Sequence, residues 1–294
     1  MNILKYNMQS IYVHLDPTKF DFSNELTFSD YTFNKIPDYA HVSFKQTKHF
    51  LNEEPIILTN DNITEFSSDI NHFFIKCKNG FPSFYKDTFW LLTLLRLYVV
   101  FLYAKKNNIN EFIHLEYDNL IYNDLTILKC LPPSTYFTRV GPYCSSAGFM
   151  YCNSIEHFSK FIEKVEQIIC KGEKHARQFT AYDHLSEMIL IDLIYENTKN
   201  IIDYLPILPF GKGSDNFDLL GILFDGASYG QYIGGTNNGD GKGWTGRHHY
   251  TGCAIQDNNI QVIFDKVPSI VFNNKKIPIA NLHIHSKKLT DYIC

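Results

Sequence analysis

The chain has no C-x-x-C pair. Its seven cysteines, at 77, 130, 144, 152, 170, 253 and 294, are odd in number and scattered through 294 residues, a length that needs no disulfide framework. They read as reduced thiols, so the expected compartment is the cytosol. Met1-Asn2-Ile3-Leu4-Lys5-Tyr6 is followed by no apolar signal region or small-residue cleavage site, in line with that expectation. Basic residues are also few, 27 Lys and Arg against 31 Asp and Glu, for a net charge of −4. A nucleic-acid partner would call for a basic face, so the expected partners are small molecules and glycans. The longest apolar run, Phe89 to Ala104, is broken by Arg96 and too short to span a bilayer. It reads as a buried helix, leaving room for a peripheral membrane contact only. Neither G-x-x-x-x-G-K-[ST] nor a strand-linked G-x-G-x-x-G is present to cradle phosphate.

What is present is a large apolar fraction, 45%, with no Pro- or Gly-rich linker. A chain of this length buries about three quarters of its unfolded surface. A single domain over 1–294 is expected, with a nucleotide-binding half over about 1–125 and an acceptor-side half over about 126–294. Strand patterns at 10–16, 54–60 and 111–116 alternate with helical ones. The helix from Phe89 to Lys106 is given Asp87 as N-cap. Asn153-x-x-Glu156 opens an amphipathic helix with Ile155, Phe158, Ile162, Val165 and Ile169 on one stripe, closing near Gly172; another helix spans about Asp183 to Asn197. Such alternation predicts an α/β fold with a mostly parallel central sheet flanked by helices, whose ligands lie beyond the carboxyl ends of the strands.

At one such end, Phe112-Ile113-His114-Leu115-Glu116-Tyr117-Asp118 runs from apolar residues into two carboxylates one residue apart. In extended chain they share a face, roughly 6.5–7 Å apart, and suit a hard divalent cation holding phosphate oxygens. A strand entering a polar turn explains the same letters. Far downstream, in Asn281-Leu282-His283-Ile284-His285-Ser286-Lys287, both imidazoles and then Lys287 fall on one side of an extended chain. An H-x-H also opens some binuclear hydrolase sites, but Ser286 and Lys287 follow where further ligands would be wanted, and lysine attracts phosphate instead.

Together the two segments resemble glycosyltransferases of the GT-A fold, with Glu116-Tyr117-Asp118 as a D-x-D-type motif. The resemblance extends to Trp90-x-x-Thr93-x-x-Arg96, Ser146-Ala147-Gly148-Phe149-Met150 and Phe224-Asp225-Gly226-Ala227-Ser228-Tyr229-Gly230-Gln231-Tyr232, and is to poorly characterised members from bacteria and large DNA viruses. It implies a Rossmann-like domain, a nucleotide-sugar donor, in all expectation UDP-linked, and a saccharide or other hydroxyl acceptor. It also implies Mn²⁺ or Mg²⁺ bound by Asp118, Glu116 and one or both of His283 and His285, with Lys287 on the diphosphate. His14 and Asp16 at the end of the first strand would border the base or ribose. The base that deprotonates the acceptor would be Glu187, Asp183 or Asp225.

Arg96 stands apart on physical grounds: a guanidinium inside an apolar helix needs an anion or several carbonyls, and a diphosphate, the sugar or a structural carboxylate would serve. The glycine-rich stretch from Gly234 to Gly252 excludes helix and good strand; it reads as a lid carrying Trp244, Arg247 and His248, or else as a surface loop. The competing functional classes are a sugar nucleotidyltransferase, disfavoured by the missing glycine-rich phosphate loop, and a non-catalytic carbohydrate-binding protein.

Overall fold

The computed structural model describes residues 8–20, 35–82, 88–141, 144–180, 185–198, 200–237, 244–245 and 260–293. Strand β1 (Gln9–His14) is followed by α1 (Ala40–Leu51), β2 (Ile56–Thr59), α2 (Ser67–Gly80) and α3 (Thr88–Lys106). Then come β3 (Phe112–Leu115), β4 (Asn119–Ile121), β5 (Thr135–Gly141), β6 (Cys144–Cys152), α4 (Ile155–Lys171), α5 (Glu187–Asn197) and β7 (Ile202–Tyr204). The last part holds α6 (Ser228–Gly234), the two-residue strands β8 (Thr236–Asn237) and β9 (Trp244–Thr245), β10 (Gln261–Asp265), β11 (Val267–Phe272), β12 (Lys275–Pro278) and β13 (Asn281–His283).

The central sheet has the order β2-β1-β3-β6-β5-β7. β1 pairs parallel with β2 and β3, β5 pairs parallel with β7, and β6 runs antiparallel to both of its neighbours. Five of the six strands therefore share one direction, the mostly parallel α/β sheet that the alternating pattern predicts. Side-chain alternation divides the core into two faces. Ile11 and Val13 of β1 pack with α2, α3, α4 and α5 on one side, while Tyr12 faces Phe44 of α1 on the other. The helix α3 buries Leu91, Leu94, Leu95, Leu97, Val99 and Val100 around most of its circumference, which is why its sequence reads as an unbroken apolar run. Among the described residues no helix is long and apolar enough to cross a membrane, and Cys77, Cys130, Cys152 and Cys170 are free thiols.

Local expectations are shifted at several ends. Ser154, not Asn153, caps α4, its Oγ accepting from the amide of His157 at 3.4 Å. Asn153 is otherwise engaged: its Oδ1 accepts from the Ser134 amide at 2.7 Å and its amide donates to the carbonyls of Leu131 and Pro132. The helix predicted from Asp183 begins at Glu187 behind Ser186. Asp183 and Asp87 lie outside the described residues. Just before Asp225 the chain makes a single parallel bridge, Leu223 to Ile279.

Candidate metal and nucleotide site

The site lies where β3 leaves the sheet. Glu116 and Asp118 do not stand on an extended strand as the spacing predicts: β3 ends at Leu115, and the Asn119 amide bonds back to the Glu116 carbonyl at 3.1 Å, closing a turn. Tyr117, the middle residue, holds that turn by donating its hydroxyl to the Val13 carbonyl at 2.5 Å. The chain then enters β4, whose antiparallel partner is β13, with His283 opposite Asn119. This pairing joins residues 164 positions apart and sets His283 beside the carboxylates. Asn119 and Asn281 reinforce it through a side-chain bond of 2.8 Å, and Asn281 also bonds both backbone groups of Asp225.

Nor does the C-terminal H-x-H-x-K stay extended. β13 stops at His283, and the Lys287 amide bonds the Ile284 carbonyl at 3.0 Å with Lys287 itself at φ 59°, so a turn folds His285 and Lys287 back onto the cluster. The His283 and His285 rings end 4.5 Å apart between centroids. One ligand-type atom from each of Asp118, His283 and His285 lies within 4.8 Å of the others, so the three could hold a metal ion together. Glu116 is outside this trio. Its Oε1 is drawn to Arg96 Nη1 at 2.5 Å, while Oε2 reaches His283 Nε2 at 3.0 Å.

The donor chemistry of His283 is fixed by its surroundings. Nδ1 lies 2.7 Å from the Gly226 carbonyl, which only accepts, so Nδ1 carries the proton. Nε2 then faces Glu116 at 3.0 Å and Asp118 at 3.3 Å. A lone pair aimed at two carboxylates is repulsive, so Nε2 carries a proton in the protein alone, and a divalent cation would take that proton's place; one carboxylate and two imidazoles are a donor set that such cations accept. The titration directions describe the cluster with that proton in place. Burial works against charge on His283, but Asp118 and Glu116 outweigh it and raise its pKa well above the ordinary value. Burial likewise opposes ionisation of Asp118 and Glu116. His283 and Lys287 overcome it at Asp118, and Arg96 and His283 at Glu116, holding both carboxyls well below the usual range. His285 is pushed down to about 3 by burial and by neighbouring His283, which keeps it a neutral imidazole. Lys287 Nζ donates to Asp118 Oδ2.

Beside the cluster, Val13, His14, Leu15, Phe89, Leu92, Thr93, Arg96 and Tyr117 line a cavity of about 130 Å³. Arg96 finds Glu116, a carboxylate of the chain itself, while its Nε and Nη2 are buried without a partner among the described residues. His14 borders this cavity, its ring 5.8 Å from that of Tyr117. Asp16 does not line it. One oxygen of Asp16 is committed to the amide and hydroxyl of Thr18, at 2.9 and 2.6 Å, and its backbone is clasped by Asn60.

Of the candidate bases, Asp225 is held in an anchoring geometry. Its carboxylate accepts from the amides of Tyr229, Gly230 and His283 at 2.9, 2.7 and 2.9 Å, tying α6 to β13. Glu187, at the start of α5, is buried and accepts from Thr93 Oγ1 at 2.7 Å; burial pushes its carboxyl up to about 7 against the opposing pull of Thr93 and Arg96. Arg247 and His248 lie outside the described residues, as does most of the glycine-rich stretch; described are Gly234 at the end of α6, Gly235, and the ladder pairing Thr236 with Thr245 and Asn237 with Trp244.

Tertiary structure gives roles to residues that the sequence offered only as members of motifs. Gly148 lies against the His283 ring, where a Cβ would meet Cε1 at 2.7 Å, and at Gly230 a Cβ would meet the His283 carbonyl oxygen at 2.0 Å. Gln231 reaches His285 Nδ1 at 3.1 Å. Their signal lay in the short motifs around Gly148 and Gly226, which have no meaning until β13 is placed. No family model matches this chain, and no curated protein does. Among solved structures, the crystal structure of mouse xyloside xylosyltransferase 1, apo form, aligns over 67% of this chain and 84% of that chain, with a TM-score of 0.36 and 12% sequence identity. A likeness at that level transfers neither residues nor activity.

Proposed function

We propose that this protein is a metal-assisted glycosyltransferase that moves a sugar from a nucleotide-sugar donor, UDP-linked, to a saccharide or other hydroxyl acceptor. The observation that carries the reading is the convergence of Asp118, His283 and His285, flanked by Glu116 and Lys287, at the carboxyl end of β3. Asp118 and the two histidines would hold Mn²⁺ or Mg²⁺, which when bound neutralises charge growing on a departing diphosphate. Lys287, now on Asp118, would turn to the diphosphate once a cation satisfies that carboxylate. The cavity at His14 and Tyr117 would take the nucleoside, with the spare N–H groups of Arg96 turned to ribose or sugar oxygens. Glu187, elevated by burial and close to Arg96, would be the proton acceptor, because the other described candidate, Asp225, is committed to three backbone amides.

A sugar nucleotidyltransferase and a non-catalytic carbohydrate-binding protein are the rival readings. A thermal-shift screen of nucleotide sugars with and without Mn²⁺, followed by assay of donor hydrolysis in the absence of acceptor, tests all three. Metal-dependent stabilisation by one donor, with slow release of nucleoside diphosphate, is the expected result. Release of pyrophosphate from a nucleoside triphosphate and a sugar phosphate would favour the nucleotidyltransferase. Binding of free glycan without any donor turnover would favour the binding protein.

A further inference from the structure

We propose that Gln231 is a positioning residue that makes His285 a metal ligand, its amide oxygen accepting from Nδ1–H so that the Nε2 lone pair is presented beside Asp118 and His283. The proposal rests on the metal reading above and adds to it a device that selects a tautomer. Gln231 is 6% exposed and sits on α6, the helix that Asp225 ties to β13. Its Nε2 lies 3.1 Å from His285 Nδ1, and its Oε1 is buried with no partner among the described residues.

The two ends of a carboxamide have nearly the same shape, so a half turn of the terminal group exchanges donor and acceptor without changing volume. With nitrogen toward the ring, Nδ1 accepts, the neutral imidazole carries its proton on Nε2, and His285 has no lone pair left for the cluster. With oxygen toward the ring, Nδ1–H donates and Nε2 is free. Among the described residues neither orientation satisfies both ends of the amide, and a cation decides between them, because it rewards a lone pair and is repelled by an N–H. One short segment would then fix both rings in the same sense: the Gly226 carbonyl holds Nδ1–H of His283 at 2.7 Å, and Gln231 five residues later does the same for His285. Partners of metal-bound histidines set ring orientation and tautomer in this manner.

The test is a calorimetric titration with Mn²⁺ alone of the wild type, Gln231→Met, His285→Ala and the double variant, with thermal melting to confirm folding. Gln231→Met is expected to weaken Mn²⁺ binding about tenfold to a hundredfold in the wild-type background and to add no further loss in the His285→Ala background. Unchanged affinity in Gln231→Met, or an equal loss in both backgrounds, overturns the proposal while leaving the metal reading in place. A wild type that binds no Mn²⁺ overturns the metal reading and this inference with it. A second measurement needs no variant: long-range ¹H–¹⁵N spectra of the wild type with Zn²⁺ as a diamagnetic probe. Protonated Nδ1 and bare Nε2 at His285 are expected, and a proton on Nε2 overturns the assignment.

Discussion

His283 Nδ1 stands 2.7 Å from the carbonyl oxygen of Gly226, a contact across 57 positions that turns the opposite edge of the ring toward Asp118 and Glu116. Room for the ring comes from Gly148, where a Cβ would lie 2.7 Å from His283 Cε1 and 2.9 Å from Nδ1. Gly148→Ala should therefore displace the imidazole, weakening Mn²⁺ binding at a stability cost of about 1–3 kcal/mol from overpacking a buried strand. Calorimetry and urea denaturation of the same variant read both quantities. Wild-type Mn²⁺ affinity in a folded Gly148→Ala protein would mean that the ring has no part in binding.

Asp118 is 3% exposed and carries the bonds to His283 and Lys287. Asp118→Asn keeps its shape and removes its charge. It should lower Mn²⁺ affinity, and with it metal-dependent nucleotide affinity, by about a hundredfold, on the order of 3 kcal/mol. The far-ultraviolet circular dichroism spectrum should not change. A Mn²⁺-dependent nucleotide affinity equal to wild type would remove Asp118 from the ligand set.

The pair of Arg96 and Glu116 is largely buried, with side chains 13% and 23% exposed. Breaking such a pair from one side leaves a charge without its counterion, so Arg96→Met should destabilise the fold by about 3 kcal/mol. Adding Glu116→Gln should restore much of that loss. A double variant no more stable than Arg96→Met in denaturant titrations would show that Arg96 acts through some other contact.

Glu187 makes stability depend on pH. Its carboxyl is pushed from 4.5 up to about 7 by burial, so between those values the folded state binds more protons than the unfolded chain. The stabilising preference for the neutral form is complete below about 4.5 and is lost as pH rises through 7. Glu187→Gln keeps a neutral partner for Thr93 and should gain on the wild type as pH rises, being the more stable by about 1–3 kcal/mol at pH 8 and nearly equal to it at pH 4.5. Parallel denaturation curves at both values check this; an identical difference at the two pH values would mean that Glu187 does not titrate in that window.

The strands at Gln9–His14, Ile56–Thr59 and Phe112–Leu115, and the stripe of α4 through Phe158, Ile162, Val165 and Ile169, were legible in the sequence because period-2 and period-3.6 patterns are local consequences of burial on one face. So was the acidic step after β3, since charge following an apolar run needs no tertiary contact to be seen. Helix starts were less legible: Asn153 and Ser154 are both good caps, and the contacts of Asn153 with Leu131, Pro132 and Ser134 decide between them.

By itself, then, the sequence determined the α/β alternation, the buried α3 with its one guanidinium, and which residue types were available for a cation. The tertiary structure alone decided how they meet. Strand period places alternate side chains on one face only while the chain stays extended, and at both 116–118 and 283–287 it turns. Convergence there depends on the pairing of β4 with β13, on the Gly226 carbonyl that fixes the His283 tautomer, and on the space left by Gly148. Those are contacts between segments more than fifty residues apart, which no local pattern encodes.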